Sequence, residues 1–168
     1  MYKRSFVLFL SYFNRNRDYF ECHEVLEEHW KEVAPGIRDH ELVGFIQLAT
    51  GMYHWRRGNY RGAQTILKKA SRHLRNNRTS IYYHGIDMAT LLSQLTHIEQ
   101  QVQKKAHFKA FAISIVDEAL AEQVATVTLP KLSNTFIRDK HKLRNRNDII
   151  LLRAERLAAK RHQKKDSH

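Results

Sequence analysis

The chain has 168 residues, 42% of them hydrophobic, which is enough to bury a core, and its formal net charge is +12. Six glycines and two prolines are too few for the many turns of an all-β fold, and the single cysteine, Cys22, rules out an intramolecular disulfide and a cysteine-rich zinc finger. No run of roughly 18 apolar residues occurs, so no integral membrane segment is expected and the protein is placed in the cytoplasm.

In chain order, the start from Met1 to Phe13 resembles a short signal sequence. Its apolar run covers only Phe6 to Leu10, and Asn14 and Arg15 follow where small residues would mark cleavage, so the segment reads as a core helix over about residues 3–14. Asn16 or Asp18 opens a second helix, Asp18 with Glu21 forming an N-terminal capping pattern, and Ala34-Pro35-Gly36 ends it after Val33. Phe20, Val25, Leu26, Trp30 and Val33 give it an apolar face at helical spacing, and Cys22 reads as a buried, inert thiol. Asp39 is the expected cap of a third helix reaching Arg57, apolar over most of its circumference and therefore central in a bundle. Gly58-Asn59 ends it, a tight turn through Gly62 follows, and a fourth helix covers about residues 63–75. Asp87 caps a fifth helix to about Ala106, and Asp117 to Ala125 can form a short one. Thr126 to Pro130 reads as extended, and Asp148 caps an amphipathic helix to about Gln163. The predicted fold class is therefore all-α: an antiparallel multi-helix bundle with a basic C-terminal helical extension. Its expected organisation is a bundle over 1–106, an irregular connection over 107–147 and a basic helix and tail over 148–168.

Charge is segregated along this plan. From Asp18 to Glu41 there are eight acids and two bases; from Leu42 to Ile86, eight bases and no acid; from Arg138 to His168, eleven bases and four acids. Arg57, Arg61, Lys68, Lys69, Arg72 and Arg75 form a basic patch on or beside the fourth helix. A solvated face is the plain reading of such a patch, and phosphate-backbone binding the sharper one.

The chemistry-bearing residues cluster on the second and third helices. His23, Glu27 and Trp30 share one helical face, with Glu24 beside them, and Gly44, Gln47, Gly51 and His54 share a face of the next helix. Should the two faces meet across the glycines, two imidazoles, a carboxylate and an amide point inward and need partners. A closed hydrogen-bond network satisfies them. So would a divalent metal, the one cofactor this set could hold. The repeated Glu-x-x-His of bundled di-metal proteins and the His-Glu-x-x-His of zincins are both absent, so the structural network is the leading reading. Trp30 and Trp55 read as core anchors.

The ordered set His23-Glu24-x-x-Glu27-x-x-Trp30, Ile46-Gln47-x-Ala49, Tyr53-His54 and Arg57-Gly58-Asn59-x-x-Gly62-Ala63 resembles the domain of unknown function family 309, a small all-α family of bacteria and archaea. The resemblance covers about Phe13 to Leu74. It implies a helical bundle in which His23, Glu24, Glu27, Trp30, Gln47, His54 and Gly58 form the characteristic cluster, and it supplies no substrate.

Three functions follow as expectations. The first is a non-catalytic interaction module with a protein partner, or a second copy of itself, in which the polar network sets helix register. The second is a metal-dependent, hydrolase-like enzyme with His23, Glu27 and His54 as ligands and Glu24 or Gln47 handling water. The third is nucleic-acid backbone binding by the basic patch.

Overall fold

The computed structural model describes residues 2–140, 153–155, 157–158 and 161. Residues up to Arg138 form one compact unit and those from Asp139 onward a second. The first unit is helical: α1 (Arg4–Ser11), a π-helical turn (Tyr12–Asn16), α2 (Tyr19–Val33), α3 (Glu41–Arg56), α4 (Tyr60–Asn76), a 3-10 turn (Ile81–Tyr83), α5 (Met88–Gln103), α6 (Glu118–Thr126) and α7 (Asn134–Arg138). Among the described residues there is no strand, only an isolated antiparallel bridge between Ile86 and Ile115. The all-α bundle predicted from sequence is what the chain adopts. No helix among the described residues is long and apolar enough to cross a membrane. The helix expected from Asp148 to Gln163 lies largely outside the described residues; those described within it, 153–155, 157–158 and 161, are helical and exposed.

Side chains that satisfy the orphan amides of the first turns fix where the helices start. Asp18 is fully buried and accepts from the Glu21 amide at 3.1 Å, as the capping pattern predicts. Asp87 accepts from the Thr90 amide at 3.0 Å and Asp117 from the Leu120 amide at 2.8 Å. Two expected boundaries are corrected. His40, rather than Asp39, caps α3, its Nδ1 accepting from the Leu42 amide at 3.2 Å. Asn59 does not merely end α3: its Oδ1 accepts from the Gly62 amide at 3.0 Å, so α4 starts at Tyr60 rather than at Ala63. Gly58, with φ +75°, supplies the left-handed residue that separates the two helices.

The helix expected over 3–14 stops being α-helical at Ser11. A π turn follows, and Arg17 closes it with φ 53°, an uncommon conformation for a residue with a side chain. The segment is core, as expected: Phe6, Val7, Phe9 and Leu10 are all buried. Phe6 and Phe9 meet Phe45 edge-on at 5.6 and 5.3 Å between ring centroids, and Phe13 meets Tyr19 at 5.1 Å. The central position of α3 also holds, since Leu42, Phe45, Leu48, Ala49, Met52 and Trp55 are buried along it. The buried face of α2 differs from the predicted one. It is made of Tyr19, Cys22 and Leu26, while Val33 is 47% exposed. Cys22 is enclosed, and burial, then the nearby Asp18 and Glu21 carboxylates, push its thiol well above its ordinary value, which keeps it protonated and inert.

The stretch from Ala106 to Arg138 is tied onto α1 and its π turn by side-chain bonds to backbone. Asn14 donates to the Ile113 carbonyl and accepts from the Ile113 amide at 2.9 and 2.8 Å, standing in for a strand partner. Ser11 donates to the Val124 carbonyl, and Arg15 to those of Val124 and Val127. Trp55, buried as expected, donates to the Ala106 carbonyl at 2.9 Å.

Candidate functional site

Three helices build a pocket of ≈ 390 Å3. Helix α2 contributes His23, Glu27 and Trp30; α3 contributes Val43, Ile46 and Gln47; α4 contributes Lys69, Arg72 and His73; Arg38 reaches in from the α2–α3 connection. One helical turn separates His23 from Glu27, so the imidazole Nε2 and a Glu27 carboxylate oxygen sit 3.1 Å apart. The other ring nitrogen, Nδ1, is 3.4 Å from Glu24. The second Glu27 oxygen accepts from the Lys31 ammonium at 2.6 Å. His23, Glu24 and Glu27 can each offer a ligand atom within 4.8 Å of the others. Their side chains are 32%, 19% and 26% exposed, so the cluster opens to solvent rather than closing inside the bundle.

The glycines expected to line the α2–α3 seam lie elsewhere. A Cβ on Gly44 would meet Leu74 at 2.9 Å, and one on Gly51 would meet Leu67 at 2.4 Å, so both glycines admit α4, not α2. That close approach has a consequence for the pocket. The same Cβ on Gly44 would stand 3.3 Å from His73 Cβ, and His73 reaches Gln47 across this narrow gap, Nδ1 to Oε1 at 2.8 Å. His73 Nδ1 also meets the Lys69 carbonyl at 3.1 Å. Both neighbours are oxygens, which makes Nδ1 the donor and leaves Nε2 with its lone pair in the neutral ring.

His54 is not part of this pocket. Its Nδ1 accepts from the Asn59 side-chain amide at 3.2 Å, and its carbonyl accepts from the Asn59 backbone amide at 2.9 Å, so it fastens the α3–α4 turn. Burial first, and the Arg57 guanidinium second, hold its pKa below the ordinary histidine value. The cluster read from sequence is thus divided: His23, Glu27 and Gln47 line one pocket with Glu24 beside His23, and His54 joins Gly58, Asn59 and Gly62 at the turn. Trp30 does double duty. It packs partly against the core and lines the pocket, and its indole donates to the Ile37 carbonyl at 2.8 Å, pinning the α2–α3 connection that carries Arg38.

The basic patch is also divided. Arg61, Lys68, Lys69, Arg72 and Arg75 are exposed on α4, but Lys69 and Arg72 belong to the pocket. Arg75 is engaged structurally, donating to Ser71, Thr96 and the Leu92 carbonyl and so clamping α4 to α5. Arg57 sits 5.5 Å from the Tyr53 ring centroid. Sequence reasoning missed His73. It falls one residue after Arg72 and four after Lys69, so helical spacing alone could have placed it with them.

The family model described as "Domain of unknown function (DUF309)" matches residues 6–66. The uncharacterised protein YpuF of Bacillus subtilis (strain 168) is 38% identical over 159 residues, covering 89% of this chain and 91% of that protein. No solved structure matches the chain significantly. The matched residues hold every α2 and α3 side chain of the pocket, and the relative extends the likeness through almost the whole chain: the protein belongs to the DUF309 family.

Proposed function

We propose that the pocket between α2, α3 and α4 is a divalent-cation site for a small anionic ligand, with metal-assisted hydrolysis as the reaction class its groups suit. The observation that carries this reading is the convergence of His23, Glu24 and Glu27 beside a pocket rimmed by Arg38, Lys69 and Arg72. Imidazole and carboxylate are competent ligands for zinc, iron or manganese, and a bound cation would polarise a ligand oxygen or water. Glu24, facing the far ring nitrogen of His23, either supplies a third ligand or fixes the ring so that Nε2 points at the cation. The three basic side chains suit a phosphate or carboxylate, and Trp30, Val43 and Ile46 suit an apolar portion of the same molecule.

The register role favoured by the sequence needs enclosed groups whose loss would strand a partner. The part-open ion-pair chain from His23 through Glu27 to Lys31 supports it less well than it supports a site. The test is zinc and manganese titration of the tag-free full-length protein by calorimetry, with elemental analysis of the purified chain. One cation per chain is expected, with affinity falling at least about tenfold in His23→Ala and in Glu27→Gln, one such factor being about 1.4 kcal/mol. No stoichiometric uptake by the wild type, or wild-type affinity retained in both variants, overturns the reading. Loss of unfolding cooperativity in Glu27→Ala, with no metal bound, returns the cluster to a structural role.

A further inference from the structure

A second pocket, of ≈ 450 Å3, shares no residue with the first. Its lining includes four guanidinium groups, from Arg15 and Arg17 at the π turn, Arg56 at the end of α3 and Arg138 at the end of α7, together with the Phe108 ring. No acidic residue lines it among those described. Asp18, which is buried and caps α2, attracts Arg56.

Two of the arginines are held in place by bonds that leave donors over. Arg15 uses one terminal nitrogen on the Val124 and Val127 carbonyls, at 2.9 and 2.7 Å. Arg56 gives its two terminal nitrogens to the Arg17 and Ile137 carbonyls, at 2.6 and 3.2 Å, so that one side chain ties the π turn to α7. Its Cζ lies 4.7 Å from the Tyr19 ring centroid, and its Nε is buried with no hydrogen-bond partner. Arg17 and Arg138 are exposed. Arg17 stands where it does because the π turn closes in the left-handed conformation, a backbone state that favours glycine over any other residue. Four like charges around one concavity repel each other, and desolvation of Arg56 adds to that cost. A bound anion with several oxygens would offset both terms and take up the spare donors.

We propose that this arginine pocket binds a small molecule carrying a diphosphate or similarly dense phosphoryl charge. A concavity closed by α3, α7 and the π turn fits a compact anion better than an extended polymer, which would track an exposed stripe instead. The proposal is independent of the cation site on α2, and its test omits metal to keep the two apart.

The experiment is calorimetric titration of the full-length protein with inorganic pyrophosphate, and separately with inorganic phosphate, in buffer containing a chelator. Saturable one-to-one binding of pyrophosphate, tighter than that of phosphate, is expected. The paired charge reversal Arg17→Glu with Arg138→Glu should weaken it at least about tenfold, while Arg61→Glu with Lys68→Glu, which changes net charge equally on the exposed face of α4, should leave it within about twofold. All four positions are exposed, so both variants should keep the wild-type melting transition, and Arg56→Lys provides a third variant that keeps the charge and loses the two-pronged geometry. Equal weakening by both reversals would reduce the effect to the overall positive charge and overturn the proposal. So would the absence of saturable pyrophosphate binding, or a short single-stranded RNA that binds more tightly than pyrophosphate and loses affinity only in the α4 variant.

Discussion

The two flanks of α3 are built on opposite principles. Where α3 meets α4 at Gly44 and Gly51, the missing side chains let Leu74 and Leu67 enter, and that part of the seam is apolar and closed. Where α2 joins them, side chains of mixed polarity stand off from one another and leave a pocket half open to water. Close packing is what gives a helix pair its stability, and polar groups held apart at a pocket contribute little to it. The difference places close packing on one flank and the pocket on the other, and each variant below tests whether that division holds.

The largest effects belong to the closed seam. Leu67→Ala should lose about 3 kcal/mol of stability, in the range for a buried leucine truncated to a methyl group. Gly51→Val should cost about 2–3 kcal/mol, because the new Cβ would lie 2.4 Å from Leu67 and branched methyls add to the crowding. A change of sign sharpens the test. In the Leu67→Ala background the crowding is gone, and Gly51→Ala should then stabilise by about 0.5–1 kcal/mol from helix propensity alone. Urea unfolding of the wild type, the three single variants and the Leu67→Ala/Gly51→Ala double variant measures all of this, and a Gly51→Ala effect of the same sign in both backgrounds would mean that the glycine does not serve the α4 approach.

Next in size is the buried cap. Asp18→Ala should cost about 2 kcal/mol, since it removes the bond to the Glu21 amide and the carboxylate that Arg56 attracts. Asp18→Asn keeps the first and loses the second, and a smaller loss of thermal stability in that variant would apportion the two. On the open flank, by contrast, Glu27→Gln should change stability by less than about 0.5 kcal/mol, because its partners His23 and Lys31 are both solvent-accessible. A loss of 2 kcal/mol or more in that variant would erase the contrast between the flanks.

Sequence made the bundle legible because its signals are local. Asp18, Asp87 and Asp117 declare helix starts through bonds that span only three residues, and α3 declares its burial by lacking a polar side. What pairs with what was less legible. Gly44, Gln47, Gly51 and His54 do fall within one broad sector of α3, but a helical wheel does not say which neighbour that sector meets. All four turned out to serve α4 or its turn: the glycines meet Leu74 and Leu67, Gln47 meets His73, and His54 meets Asn59. The arginine pocket was illegible for the same reason in stronger form. Arg15, Arg17, Arg56 and Arg138 are separated by up to the length of the unit, and the π turn that aims the first two has no signature in residue type.

The division at His54 makes the smallest prediction, and its sign is fixed by geometry. Asn59 donates to Nδ1, so the proton that would charge the ring has to displace that bond, and burial together with Arg57 opposes the charge as well. The folded protein therefore takes up this proton at lower pH than the unfolded chain does, and the unfolded state gains more protons as pH falls. Stability from this group is fully present above the ordinary histidine value of 6.5 and is lost as pH drops from there through the lowered folded-state value. In His54→Gln nothing titrates at the turn, so the decline of the urea midpoint between about pH 7.5 and 5.5 should be shallower than in the wild type. Parallel slopes would mean that another of the eleven histidines carries the pH dependence. A slope in the variant that remains shallow while metal affinity is unchanged would show that the turn and the pocket, adjacent as they are along α3, work as separate devices.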